Sequence, residues 1–498
     1  MNVNPITRLD YPDPDVIRVE DTYYMVSTTM HFMPGCEILQ SFDLVHWEHV
    51  TYVYETLDHT DAQQLKSGQN IYGQGMWAAS LRYHEGRFYI CFVANDTRKT
   101  YLYTSEKIDG PWKKQLIEGF YHDGSLLFDE DGRNYIVYGN DEIWITELNE
   151  DLTAPKKDGL HRLLVSDHKN PELGYEGSHI QKINGYYYIF LVHSLRDRWM
   201  RTEACFYSDS LEGEFTGGDV LCDDRGYCGQ GVAQGGIVDT PDGKWYAMLF
   251  QDSGAVGRIP ILLPVTWKDH FPVFGQNGHV PEEIEVHSTR PGYIYQPLVG
   301  SDDFCNGLLP RWQFNHDPDP RYYHLDALQG TYTITTREVC TELTQAVNTL
   351  TQRMSYPSCA AEVTVDASAL KEGDVAGLCA LQSCYAAVGI TKHHGKYEVL
   401  MLDKKEDGIL DMTEGTVVES HQMDFRLEAD FCNMKDEARC YYRVNKGDWI
   451  PIGIVHKLYF KLDHFTGCRF GLFCYAAEET GGSACFRDFK YYDVDEIS

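Results

Sequence analysis

The chain has 498 residues, a length that exceeds one ordinary hydrophobic core and therefore predicts two domains. Hydrophobic residues make up 43% of the sequence and charged residues 24%, which is the mixture of a folded globular protein. The formal net charge of −32 argues against nucleic acid or an anionic membrane surface as a partner. A small neutral ligand suits this charge better.

The sequence shows no charged and then apolar leader, and no apolar run near the roughly eighteen residues of a membrane helix. This pattern predicts a cytoplasmic protein with no membrane partner. The fifteen cysteines are an odd number without CxxC pairs. They indicate buried thiols in a reducing compartment and neither a disulfide framework nor a zinc site.

A hairpin pattern occurs five times: an apolar strand, an acidic or glycine turn, and an aromatic-rich strand. Its anchor tyrosines are separated by 65, 46, 53 and 58 residues, close to the period of a four-stranded propeller blade. The anchors are Tyr24, Tyr89, Tyr135, Tyr188 and Tyr246. The repeat predicts a five-bladed β-propeller over residues 1–295.

The repeat stops near Arg290, and a different pattern of short alternating strands and turns follows. This pattern is typical of a β-sandwich of the size expected for residues 300–498. The expected fold class is therefore all-β, a propeller followed by a sandwich. The sandwich segment shows no catalytic constellation of its own.

Counting back twelve residues from each anchor, or eleven in the first blade, gives Asp13, Trp77, Asp123, Glu176 and Gln234. In a propeller the first strand of each blade lines the central axis, so these five positions should face one funnel. Carboxylates crowded there cannot all keep ordinary pKa values, because desolvation and like charge raise at least one. An acid and a base in one site are what glycosidic hydrolysis requires.

Other interpretations of these residues are structural. Isolated acids near strand starts often cap loops, Trp77 could be core, and Gln234 could be a hydrogen-bonded buried amide. Arg258 precedes an apolar run, so it needs a partner; it either pairs with a blade carboxylate or binds a sugar hydroxyl. No metal-ligand motif is present.

Together these motifs resemble glycoside hydrolase family 43 along essentially the whole chain. The matching stretches are Pro12-Asp13-Pro14, Met76-Trp77-Ala78, Asp123-Gly124-Ser125, Glu176-Gly177-Ser178-His179 and Gly257-Arg258. The C-terminal part resembles the concanavalin-A-like sandwich that accompanies the β-xylosidases of this family. The resemblance implies a general base at Asp13, a general acid at Glu176, and at Asp123 a residue that orients the acid and raises its pKa. It also implies inversion, for which acid and base lie about 6.5–9.5 Å apart.

The resemblance further implies substrate-binding roles for Arg258, Trp77 and Met30, the last two in the terminal-sugar pocket. Many relatives carry a histidine, sometimes beside calcium, where this chain has Gln234, which can hydrogen-bond a water or a sugar. We therefore expect no required cofactor, with calcium kept as an alternative.

The implied reaction is the exo-acting release of terminal β-1,4-linked D-xylose from small xylo-oligosaccharides. An α-L-arabinofuranosidase or a bifunctional enzyme is the close alternative, because xylopyranose and arabinofuranose present similar hydroxyls. Fructan-cleaving or endo-arabinan-cleaving propellers are rivals, and a non-catalytic carbohydrate-binding propeller is a rival of another class. We expect the sandwich domain to supply a pocket-closing loop or a contact in a homo-oligomer; simple stabilisation of the propeller is the alternative.

Overall fold

The computed structural model describes residues 3–493, and strands carry nearly all of the regular structure there. Four short 3-10 helices occur in this part of the chain, at Lys66–Gly68, Gly254–Val256, Leu343–Gln345 and Cys432–Met434. Within residues 3–493, no helix has the length and apolarity that a membrane crossing requires.

Five antiparallel four-stranded sheets form the blades of the predicted propeller, which is confirmed. In each blade the strands are hydrogen-bonded in chain order from the inside outward, and each anchor tyrosine lies in the second strand. The first two blades are Asp15–Val19, Thr22–Val26, Gly35–Ser41, Glu48–Tyr54, and Met76–His84, Arg87–Ala94, Lys99–Ser105, Lys113–Ile117. The third is Ser125–Phe128, Asn134–Asn140, Glu142–Leu148 and His161–Ser166. The last two are Glu176–Ile183, Tyr186–Ser194, Arg201–Ser208, Thr216–Leu221, and Ala233–Asp239, Trp245–Asp252, Arg258–Lys268, Phe271–Phe274.

The ring of blades is closed by the N-terminal segment, which runs beside the third strand of the fifth blade. The backbone N–H of Ile6 donates to the carbonyl of Pro260 at 2.8 Å, and that of Tyr11 donates to the carbonyl of Arg258 at 3.0 Å. These bonds attach residues just before the first blade to the last blade. They hold the start of the first inner strand against the fifth blade.

Two sheets form the predicted sandwich, and their facing sides share one large apolar core. One sheet has the order Phe32–Met33, Gln313–Asn315, Leu350–Arg353, Arg469–Ala476, Asp374–Leu381, Ala386–His393, Lys396–Lys404 and Leu410–Met412, and Thr416–Val418 also pairs with Lys396–Lys404. The other has the order Tyr323–Asp326, Thr331–Thr335, Ser483–Asp493, Ser358–Asp366, Gln422–Asp430, Glu437–Arg443 and Ile450–Lys457.

One short strand departs from the division of the chain predicted by the sequence. Phe32–Met33 lies within the propeller repeat, yet it pairs with Gln313–Asn315 in the sandwich sheet. Ala255 and Val256 of the fifth blade likewise pack into the sandwich core. The two domains therefore share hydrogen bonds and apolar surface, and the boundaries expected at residues 295 and 300 stay predictions.

A buried ion pair joins the two domains. The guanidinium of Arg353 in the sandwich lies 2.8 Å from the Glu37 carboxylate in the first blade. Arg353 also donates from Nε to the carbonyl of Asp10 at 2.9 Å and stacks over the ring of Tyr11 at 4.1 Å. Burial opposes the charge on Glu37, but Arg353 and His49 outweigh it and lower its pKa to about 2.

Glu37→Gln is expected to lower the free energy of unfolding by about 3 kcal/mol, because it leaves the Arg353 charge buried without its carboxylate partner. Denaturant melts measure this loss. Asp131→Asn is the matched control, since it breaks an exposed 2.8 Å pair with Arg133 and should cost at most about 1 kcal/mol. Equal losses for the two variants would contradict the assignment of Glu37 as a domain clamp.

Candidate active site

The five positions selected from the repeat all lie at or just before the starts of the innermost strands. Trp77, Glu176 and Gln234 lie within the first two residues of their strands, whereas Asp13 and Asp123 lie two residues before theirs. Asp13, Asp123 and Gln234 have φ values of 53°, 47° and 63°. Left-handed backbone is uncommon for residues other than glycine and clusters at functional sites.

Asp13 is held by two donors and is only 6% exposed. The hydroxyl of Thr28 donates to Asp13 Oδ2 at 2.6 Å, and Arg258 Nη1 donates to Oδ1 at 3.3 Å. Arg258 Nε also lies 3.4 Å from Asp252. Arg258 therefore has the carboxylate partners that a buried charge requires, namely Asp13 and Asp252. Its guanidinium also orients the Asp13 carboxylate.

Asp123 is a buried carboxyl whose pKa is shifted toward the neutral form. Burial raises its pKa to about 6; the neighbouring His122 opposes this rise, while Glu176 and Asp13 add to it. The backbone N–H of Gly177, directly after Glu176, donates to Asp123 Oδ2 at 3.0 Å. This bond fixes Asp123 against the turn that carries Glu176.

The Glu176 side chain is 20% exposed, more than the other two acids of the group. Asn140 Nδ2 donates to Glu176 Oε2 at 2.8 Å, and His122 Nε2 lies 3.5 Å from the same oxygen. Burial disfavours a charged His122, but Asp123 and Glu176 outweigh burial and raise its pKa to about 9. A positive imidazolium therefore lies among the carboxylates at neutral pH.

An aromatic side chain from the sandwich domain reaches this group. The rings of Phe465 and Trp77 have centroids 5.6 Å apart, and the Arg258 guanidinium lies 4.5 Å from the Phe465 centroid. The Asp10 carboxylate holds the arrangement, because it accepts the backbone N–H groups of Arg258 and Gly467, each at 2.8 Å. The segment around Phe465 thus forms part of the site wall.

Gln234 and Met30 are packed into the wall. A Cβ at Gly177 would lie 2.8 Å from Gln234 Cγ, so the glutamine side chain occupies the space that this glycine leaves. Met30 is 1% exposed and forms a backbone bridge with Met76, next to Trp77. Contact of either side chain with a sugar stays a prediction.

Four residues of the group were not selected from the sequence: His122, Asn140, Arg201 and Phe465. Arg201 forms an ion pair with Asp252, and burial together with the Arg258 charge lowers its pKa to about 9. Adjacency to Asp123 could have indicated His122. Asn140 ends a second strand and Arg201 begins a third strand, outside the inner-strand positions that the repeat selected, and Phe465 lies in the other domain.

Within residues 3–493, one group of side chains has ligand atoms close enough together to hold a metal ion. It consists of His122, Asp123 and Glu176, whose ligand atoms all lie within 4.8 Å of one another. Calcium takes about six to eight oxygen ligands. Here the close ligand atoms are two carboxylate oxygens and one imidazole nitrogen, far fewer oxygen donors than calcium takes. The group does not fit calcium.

Paired carboxylates at a propeller axis, with an aromatic wall, define a glycoside hydrolase of the propeller class. The model of glycosyl hydrolases family 43 matches residues 3–272, and that of the "Beta xylosidase C-terminal Concanavalin A-like domain" matches residues 301–492. The chain therefore belongs to glycoside hydrolase family 43, as its motifs indicated.

Individual relatives agree with this membership. A "Beta-xylosidase" of Formosa agariphila is 26% identical over 99% of this chain and 89% of its own length. A "Non-reducing end alpha-L-arabinofuranosidase" of Bacteroides ovatus is 24% identical over 82% of this chain and 79% of its own. A solved "Bifunctional GH43-CE" structure from Bacteroides eggerthii is 42% identical with a TM-score of 0.92; the match covers 99% of this chain but spans only 64% of that protein.

Phe465→Ala is expected to weaken catalytic efficiency by roughly 2- to 10-fold, since aromatic contacts are worth about 0.5–1.5 kcal/mol beyond area burial. Steady-state hydrolysis of an aryl glycoside measures the loss. Trp449→Ala is the control, because Trp449 also lies against an arginine of the sandwich domain, Arg443 at 4.2 Å, whose ion pairs are with Asp424 and Glu362 and not with the site. A Phe465→Ala enzyme with wild-type efficiency would remove this side chain from the site.

Proposed function

We propose that this hydrolase releases terminal β-1,4-linked D-xylose from xylo-oligosaccharides by exo-acting, inverting hydrolysis. The observation that carries the proposal is the division of the carboxyl groups into two differently held sets. Asp13 accepts hydrogen bonds from Thr28 and Arg258. Glu176 accepts one from Asn140 and lies beside His122. Two carboxyl groups with separate supports suit the roles of base and acid that glycoside hydrolysis requires.

In this mechanism Asp13 accepts a proton from water as the water oxygen bonds to the anomeric carbon. The bond from that carbon to the glycosidic oxygen breaks, and Glu176 transfers its proton to the departing oxygen. Asn140 and His122 both face Glu176 Oε2, which leaves Oε1 to carry the proton. Asp123 orients the acid through its bond to the Gly177 N–H.

The wall around the acids supports a pocket for a chain end. Trp77 and Phe465 approach each other, and Phe465 also covers Arg258. An endo-acting enzyme needs a groove open at both ends, whereas a wall contributed by a second domain favours a closed end. This arrangement supports exo-cleavage.

Xylose is proposed first and arabinose second. Relatives are named as β-xylosidase and as α-L-arabinofuranosidase, which favours an α-L-arabinofuranosidase or bifunctional activity as the second candidate. We propose that the same wall of Trp77, Phe465 and Arg258 accepts both sugars, because their hydroxyls have similar positions. The proposed partner is a small oligosaccharide. A cytoplasmic location, independence from a cofactor and assembly into a homo-oligomer stay predictions.

The test is hydrolysis of 4-nitrophenyl β-D-xylopyranoside and 4-nitrophenyl α-L-arabinofuranoside by wild-type protein and by Asp13→Ala and Glu176→Gln. The wild-type enzyme should cleave the xyloside faster. Asp13→Ala should lose about 10²–10⁴-fold in kcat, the usual contribution of a general base. Glu176→Gln should lose less on these activated substrates, because nitrophenolate departs with little protonation.

Asp129→Asn provides a matched control, since Asp129 is a buried carboxylate that pairs with Lys182 and Tyr187 away from the acids. Its kcat should stay within about threefold of wild type if only the axial carboxyls act on substrate. Faster cleavage of the arabinofuranoside would reverse the order of the two sugars. Binding of xylo-oligosaccharides without cleavage of either glycoside would instead identify a carbohydrate-binding propeller.

A further inference from the structure

His122 lies between two of the three acids. Its Nε2 is 3.6 Å from Asp123 Oδ2 and 3.5 Å from Glu176 Oε2, and its ring meets the ring of Trp77 edge to face at 5.8 Å. The segment before the first strand of the third blade, Ser125–Phe128, therefore places the His122 imidazole against two carboxylates and the aromatic wall. In the mechanism above, His122 only faces Glu176 Oε2, and its charge has no role there.

We propose that His122 is a positioning residue that holds Glu176 through Oε2 and stabilises the carboxylate formed as Glu176 gives up its proton; this inference rests on the proposed function. A general acid is neutral before the reaction and anionic after it. A cation 3.5 Å from the carboxyl favours the anionic form. The gain is larger in the transition state, where negative charge develops on Glu176, than in the ground state, and so it speeds the acid-catalysed step.

The charged groups that face His122 support a cationic ring. Burial lowers the pKa of His122, but Asp123, Glu176 and Asp13 favour the protonated ring, outweigh burial and raise the pKa to about 9. Asn140 donates to the same Glu176 oxygen at 2.8 Å. Two groups on one oxygen fix the carboxyl plane, and neither of these contacts is to Oε1.

This role predicts a dependence on the leaving group that a merely structural histidine would not show. The leaving group of xylobiose is a xylose unit, whose oxygen would depart as an unstable alkoxide without the proton of Glu176. The leaving group of 2,4-dinitrophenyl β-D-xylopyranoside is a stable phenolate, which needs no acid. Loss of His122 should therefore slow the first reaction and spare the second.

The kinetic test compares His122→Gln with wild type on both substrates. The expected result is a loss of about 10- to 100-fold in kcat on xylobiose, with less than about threefold on the dinitrophenyl xyloside and little change in KM. His161→Gln is the matched control. Like His122, His161 packs on a tryptophan, in this case Trp144 of the third blade, but it is exposed. Equal losses on both substrates for His122→Gln would overturn the proposal.

A second measurement does not depend on turnover. The His122 ring signal, assigned by its absence from the His122→Gln spectrum, is titrated by NMR in wild type and in Glu176→Gln. The pKa of His122 should fall by about one unit or more when Glu176 loses its charge. An unchanged pKa would overturn the pairing. If the wild-type protein cleaves no xyloside, the proposed function fails, while this titration still decides whether His122 pairs with Glu176.

Discussion

The carboxylate of Asp10 is the contact on which the site depends. Its two oxygens accept the backbone N–H groups of Arg258, in the fifth blade, and Gly467, in the sandwich, while its own carbonyl accepts Arg353 Nε. Glycine is required beside it, since a Cβ at Gly467 would lie 2.7 Å from Asp10 Cβ. One buried residue thus joins the first blade, the last blade and the second domain three positions before Asp13.

This junction explains how a propeller and a sandwich build one site. Asp10 fixes the backbone of Arg258, whose guanidinium bonds to Asp13, and it fixes the segment that carries Phe465. Burial raises the pKa of Asp10, while the two N–H donors and the arginines oppose that rise. Because the three parts converge on one carboxylate, the separation of domains would also disassemble the aromatic wall.

Much of the architecture could be predicted from the sequence because the propeller is a repeat. The tyrosine spacing predicted that Asp123 and Glu176 lie near the starts of inner strands, and the structure has Glu176 at the first residue of one and Asp123 two residues before another. Phe465, which is more than 300 residues from Asp123 in the chain, carries no repeat signal, and its place depends on how the sandwich docks. Phe32–Met33 could not be assigned to the sandwich sheet for the same reason.

The central claim is that Asp13 activates a water which attacks the sugar from the face opposite the bond that Glu176 protonates. The most direct test is ¹H NMR of the xylose first released from a β-linked xyloside in D₂O, recorded before mutarotation. The account predicts that the α-anomer appears first, because a single displacement inverts the anomeric carbon. Initial release of the β-anomer would show retention and contradict it.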